Sequence, residues 1–302
     1  MSDITPIGAV PKGDDAAGAP RSLSGDAWYE LQRNPIFWIA GAVVIFFVFV
    51  AAFPQLLSRV DARTASCELT NSLRPPDAEH WFGFNKQGCD VYARVVYGAR
   101  SSIVVGIFST LLAGVVALAI GMISGFYGGW IDVLLARFVD VILGLPLLLG
   151  AIVVTKSLAT YDLGIWPVVL ALGFFGWTTA ARVIRSSVIA AKQQDYVQAA
   201  RMLGAGNARI MLRHILPNAI APTIVVLMIG LGAFIASEAT LSFLGVGPKN
   251  TISWGVDIAE AQVWIREATF PLMFPAGFLT LTVLAFIMLG DAVREAFDPR
   301  LH

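Results

Sequence analysis

Five stretches of this 302-residue chain contain no charged side chain: 35–58, 101–131, 163–181, 215–237 and 268–290. A helix needs roughly 20 apolar residues to cross the hydrocarbon of a bilayer, and each stretch is long enough or nearly so. A sixth, 133–155, is interrupted only by Arg137 and Asp140, which stand three apart on one helical face and can pair. Six membrane-spanning helices follow, with both termini on the same side. Composition agrees: 57% of residues are hydrophobic and 14% charged, whereas a soluble domain carries about 25% charged residues. The expected fold class is an all-α integral membrane protein.

The spans divide the chain. Residues 1–34 are polar, with Gly, Ala and Asp clusters, and read as a largely disordered N-terminal tail. No cleavable signal pattern precedes the first apolar run, which starts too far into the chain. Residues 35–58 form the first transmembrane helix and 59–100 a long loop. Residues 101–293 hold the membrane core, including a polar segment at 182–216, and 294–302 form a second tail.

Two arguments set the sidedness. Segment 182–216 carries Arg182, Arg185, Lys192, Arg201, Arg209 and Arg213 against Asp195 alone, and a basic excess marks the cytoplasmic side. Loop 59–100 is nearly balanced, and it holds both cysteines, Cys67 and Cys89. Two thiols in one water-exposed loop suggest a disulfide, which persists outside the reducing cytosol; two separately buried thiols are the alternative. Both arguments place 59–100 outside, and 182–216 and the termini in the cytoplasm. The zero net charge gives no reason to expect a nucleic-acid partner.

The segment Asp195 to Pro217, "DYVQAARMLGAGNARIMLRHILP", sits between two spans. Asp195 is a plausible N-cap for a short helix, and Gly204 and Gly206 can take the positive φ that ends it. Asn207 can cap a second helix, and Pro217 is tolerated where the next span begins. Small residues Ala199, Ala200, Gly204 and Ala205 leave a smooth surface that a partner backbone could approach. Connections in compact proteins usually run about 4–6 residues, so a structured connection of this length reads as a docking site in preference to a plain linker.

The spacing Gln198-Ala199-Ala200, three residues, Gly204, nine residues, His214-Ile215-Leu216-Pro217 resembles the "EAA" signature of ABC importer permeases. That signature reads Glu-Ala-Ala, three residues, Gly, nine, Ile-x-Leu-Pro. Gln198 and His214 depart from it. "GCDVYARVVYGARSSIVVG", "ASEATLSFLGVGPKNTISWG" and "LTVLAFIMLGDAVREAFDPRL" resemble segments of the peptide/nickel-type permeases, specifically the C-type partner of the oligopeptide/dipeptide pair. The similarity runs from about residue 28 to 300. This chain has Gly83-Phe84-Asn85 where that family usually has Gly-Thr-Asp.

The resemblance implies a type I importer permease fold in a bacterial plasma (inner) membrane. It implies that Gln198, Ala199, Ala200, Arg201, Gly204, Ala205, His214 and Pro217 belong to a coupling segment seated on an ATPase subunit. The implied partners are a second homologous permease subunit completing a heterodimer, two ATP-binding cassette subunits, an extracytoplasmic peptide-binding protein, a peptide substrate and membrane lipid.

ATP and Mg would be used by those partners. No lysine here follows a glycine, so there is no GxxxxGK[ST] loop to cradle phosphate. His80, His214 and His302 are scattered and make no metal constellation, and no nucleophile motif is present. The chain reads as non-catalytic, with no cofactor or metal of its own.

Glu238, near the end of the fifth span, is a candidate pathway carboxylate, since charges at membrane depth face a cavity or a partner; a headgroup-level pair with a loop cation is the alternative. Arg137 and Asp140 read as a structural pair. Gly106, Gly114, Gly121 and Gly125 read as close helix contacts, and Pro146, Pro222 and Pro275 as kinks. The expected function is ATP-driven import of oligopeptides or dipeptides by alternating access. The rivals are a nickel-chelate importer of the same type, an ion-coupled secondary carrier, for which an internal repeat is missing, and a purely structural scaffold.

Overall fold

The computed structural model describes residues 23–60, 62, 67–248 and 251–297. Within them the regular structure is helical, apart from one isolated bridge between Phe84 and Asp90. Helix α1 (Leu23–Arg33) leads into α2 (Pro35–Ala52) and the single turn α3 (Pro54–Leu57). Then come α4 (Val91–Tyr127), α5 (Gly129–Gly144), α6 (Leu147–Ser157), α7 (Trp166–Gly176) and α8 (Thr178–Lys192). The chain continues through α9 (Asp195–Met202), α10 (Asn207–Arg209), α11 (Leu216–Ala219), α12 (Ala221–Phe243), α13 (Trp254–Ala261) and α14 (Phe270–Ala296).

Four stretches are long and apolar enough to cross a membrane: α2, α4, Asn207–Phe243 and α14. Two bent pairs, α5 with α6 at 83° and α7 with α8 at 42°, raise the number to six when each pair is one span. The sharper bend has a local cause. Pro146 pushes the preceding residue out of the helical region, and Leu145 sits at φ −82, ψ 125. Pro222, by contrast, lies in the first turn of α12, where its missing N–H costs nothing, and α14 runs on through Pro275.

Helix α4 is the centre of the bundle and packs against α8, α12, α7 and α2. Asp90 caps it, its Oδ1 accepting from the Ala93 N–H at 2.9 Å, so the helix begins well before the charge-free stretch and carries Arg94 and Arg100 within it. The expected loop 59–100 is therefore shorter by that helical start. Glycines set the approach of its neighbours. A Cβ at Gly121 would lie 2.7 Å from the Ala181 carbonyl oxygen, and one at Gly125 would lie 2.8 Å from that of Arg185. Both contacts are with α8, and the closest contact at Gly106, Ile235 at 2.5 Å, is with α12.

The apolar core divides between the two ends of α4. One cluster joins its later half to α7, α8 and α12 through Ala113, Leu172, Ile184 and Leu241; the other joins its start to α2 and Trp254. Apolar side chains also cover the outside, including Ile39 at 62% and Ile45 at 70% exposure, which suits a lipid-facing surface.

Residues 23–33, expected within a disordered tail, are helical instead. Leu31 is buried against Ala296, with Phe37 and Val293 alongside, so the end of α14 supplies the apolar surface that the tail lacks by itself. The rest of that expected tail, 1–22, lies outside the described residues, as does 298–302 of the C-terminal one.

Candidate functional site

Segment 195–217 folds as a short helix, a turn and a helix that runs into α12. Gln194, at φ −73 and ψ 148, is the N-cap of α9. Asp195 occupies the first turn, contrary to the capping role expected of it, and there its charge still complements the helix dipole. Gly204 has φ +79, and the Ala205 N–H donates to the Ala200 carbonyl at 3.0 Å, closing a Schellman-type end. Gly206 has φ −69, not positive, and is itself the cap of α10 in place of Asn207.

Between α10 and α11 the backbone takes a π turn, Ile210–Ile215, in which the Leu216 N–H reaches back to Met211. Pro217 cannot continue the ordinary ladder, because its ring crowds the carbonyl four residues earlier. The wider turn absorbs that conflict and keeps the helix continuous to Phe243.

One face of α9 is anchored. Val197 is 1% and Ala200 8% exposed, beside Ile210 at 0%. The other face is free: Gln198, Ala199, Arg201 and Gly204 are exposed, with Met202 at 85% and Leu203 at 88%. Ala205 and His214 are half-buried, and Pro217 is exposed. A side chain placed at Gly204 or Gly206 would meet nothing within 4 Å. The segment thus presents small residues and two bare apolar tips on a seat fixed to the core.

Above that seat, α5 and α8 are joined by charge. Arg185 holds Asp132 with two bonds of 2.5 and 2.6 Å, Ser124 also donates to Asp132, and the Lys192 ammonium reaches the Phe126 carbonyl. Arg137 and Asp140 do approach, at 3.7 Å, but Asp140 is held more closely by Arg182 at 2.6 Å. These α5–α8 links escaped the sequence, since nothing in it indicates that residues some fifty positions apart face one another.

At the opposite end of α4, Cys67 and Cys89 are joined in a disulfide. The Glu68 N–H donates to the Gly88 carbonyl beside it at 3.1 Å. His80 Nδ1 lies 2.6 Å from Asp90 Oδ2, and Phe82 stacks on Phe274 with centroids 3.8 Å apart. The loop is therefore clamped to α4 and α14. Asp77 accepts backbone N–H bonds from His80 and Glu79, which hold its carboxyl below the usual range.

Glu238, expected either beside a pathway or beside a loop cation, has neither surrounding among the described residues. It is fully buried and accepts from the hydroxyls of Ser102 at 3.2 Å, Ser242 at 2.9 Å and Ser253 at 2.8 Å. The knot ties α4, α12 and the cap of α13 together. Next to it, Arg94 donates to Asp257 through Nε at 2.7 Å and to Glu260 at 3.3 Å. Burial raises the Asp257 carboxyl to about 6 against the opposing charge of Arg94. Sequence reasoning missed Arg94, Asp257 and Glu260, which lie in what read as loops.

With this geometry in view, two family models match. The "Binding-protein-dependent transport system inner membrane component" covers residues 117–302, and the "N-terminal TM domain of oligopeptide transport permease C" covers 22–76. The chain belongs to the ABC importer permeases. Among its relatives is a dipeptide transport system permease protein of Alkalihalophilus pseudofirmus, 34% identical over 91% of this chain and 90% of that protein. An oligopeptide transport system permease protein of Bacillus subtilis is 33% identical over 97% and 96%. A glutathione transport system permease protein of Escherichia coli is 35% identical over 91% and 89%. An amino acid ABC transporter of known crystal structure shares the fold at a TM-score of 0.50 and 20% identity, over 66% of this chain and 91% of that one. This permease is a multi-pass membrane protein of the oligopeptide/dipeptide C type, as the resemblance in sequence implied.

Proposed function

We propose that this permease forms one half of the membrane channel of an ATP-driven importer that carries oligopeptides or dipeptides into the cytoplasm by alternating access. The observation that carries the reading is the α9 turn: an exposed face of small and apolar residues on a helix rooted in the core. A push on such a seat moves α8 and the long Asn207–Phe243 helix together. Gln198, Ala199, Arg201, Gly204 and Ala205 would meet an ATP-binding cassette subunit, while the buried Ala200 roots the helix and His214 and Pro217 shape the entry into the span. Two such subunits would bind ATP and Mg and perform hydrolysis.

A second homologous permease would complete the channel, and an extracytoplasmic peptide-binding protein would deliver cargo to the disulfide-clamped loop. In this orientation α9 and both termini are cytoplasmic. The relatives that transport dipeptides, oligopeptides and glutathione support a peptide cargo. Uptake of labelled di- and oligopeptides by cells with and without this gene tests it. Uptake that depends on the gene is expected, and equal uptake in both strains contradicts the reading.

A further inference from the structure

Helix α8 leads straight into the exposed turn: it ends at Lys192, and α9 begins at Asp195. About two turns before that end, Arg185 grips Asp132 of α5 with both sides of its guanidinium. Nε donates to Oδ1 at 2.5 Å and Nη2 to Oδ2 at 2.6 Å. Such a fork fixes direction as well as distance, because two parallel bonds resist rotation of either partner. Ser124 of α4 donates to the same carboxylate. One turn away on α8, Arg182 donates to Asp140 of α5 at 2.6 Å. The Asp132 side chain is 18% exposed against 46% for Asp140, so solvent screens the fork less and it carries more of the link.

Packing does not supply this link. Helix α5 packs chiefly on α4, and a cavity of about 310 Å³ lies between α4, α5 and α8, lined by Gly121, Ser124, Val139 and Ala181. The far halves of the same two spans are joined differently. Helices α6 and α7 pack on each other, so closely that a Cβ at Gly150 would stand 2.5 Å from the Phe175 ring. Each span bends where its halves meet, by 83° between α5 and α6 and by 42° between α7 and α8. Phe138 of α5 stacks on Trp177, at the second bend, with centroids 5.9 Å apart. The two spans are thus tied by charge on the α9 side of the bends, by a ring stack at them and by apolar packing beyond them.

We infer that Asp132 and Arg185 are positioning residues for transport. They make α5 travel with α8 when α9 is pushed, and the bends at Leu145–Pro146 and Trp177 are the hinges. A break in a helix absorbs a change of direction, whereas a push on α8 crosses the cavity to α5 only through contacts that bridge it. Without the fork, α8 moves and α5 lags, so nucleotide is consumed and cargo stays outside. The link to cargo rests on the import reading above; the joint movement of α5 and α8 rests on the geometry of the fork and the cavity.

The test uses the importer assembled with its ATPase subunits in proteoliposomes, and compares the wild type with Asp132→Asn, Arg185→Met and the double variant. The ATP hydrolysed per peptide imported is expected to rise about tenfold in each variant, a usual size for coupling between sites, while the ATPase subunits still co-purify. Because the two side chains act as one unit, the double variant is expected to match the singles and not to add their losses. It also leaves neither charge without its partner, so it serves where a single variant fails to fold. An unchanged ratio in the double variant, or losses that add, overturns the inference. A second readout needs no cargo: spin labels on Leu134→Cys of α5 and Ser186→Cys of α8, both exposed positions. Their separation is expected to stay constant between nucleotide-free and ATP-bound wild type and to change in the double variant; constancy in both overturns the inference. A wild-type separation that changes removes this inference and leaves peptide import standing, whereas a separation held by the fork without peptide uptake does the reverse.

Discussion

Gly121 and Gly125 do with absence what most core residues do with bulk. Each leaves room for a carbonyl of α8 within 3 Å of where a Cβ would stand. Leucine at Gly121 is expected to destabilise the permease by about 1–3 kcal/mol, the usual cost of overpacking, read as a lower melting temperature in detergent. Alanine at Gly144, where nothing lies within 4 Å, is expected to leave it unchanged. Asp257 adds a pH dependence. Its carboxyl rises from the ordinary 3.8 to about 6 in the folded chain, so the folded state holds the proton more tightly than the unfolded one. That contribution to stability is complete below about pH 3.8 and is lost as pH climbs through 6. Among the described residues, Arg94 of α4, Glu260 of its own helix and Glu238 of α12 are the charged groups that face it. Melting temperature is expected to fall between pH 4 and 7, and Asp257→Asn to flatten that profile; a flat wild-type profile contradicts the assignment.

At the scale of elements, the apolar runs announced the spans and the glycine pair announced the break after α9, because both signals are local. The failures were of another kind. Nothing within residues 23–33 reveals that Leu31 finds its partner in Ala296, far along the chain, so α1 read as tail. The start of α4 was hidden by Arg94, which looked too polar for a buried helix until Asp257 and Glu260 appeared opposite it. Glu238 stood out as a charge in a span, yet the three serines that surround it come from three elements. The disulfide bridges a separation of 22 residues, and a closure of that length stabilises by about 3 kcal/mol in the chain-entropy account. Treatment with a phosphine reductant is expected to lower the melting temperature and to expose the 67–90 loop to protease, while α9 stays protected. An unchanged digestion pattern would show that Phe82 on Phe274 and His80 on Asp90 hold the loop without it.

For the whole molecule, two polar regions lie at opposite ends of one apolar bundle, the α9 turn at one and the clamped loop with α13 at the other. Helix α4 spans the distance between them, packed on α8 near the turn and on Trp254 near the loop. Work applied at the turn therefore has a continuous packed route to the far end, which is what an importer driven from the cytoplasm needs. The most direct test is Ala199→Trp, a substitution on the exposed face of α9 that leaves the anchoring Val197 and Ala200 untouched. Co-purification of the ATPase subunits and ATP-dependent peptide uptake are measured on the assembled importer. The account predicts a permease that inserts and melts normally but loses its ATPase partners and most of its uptake. Full retention of both, at equal abundance in the membrane, would contradict it.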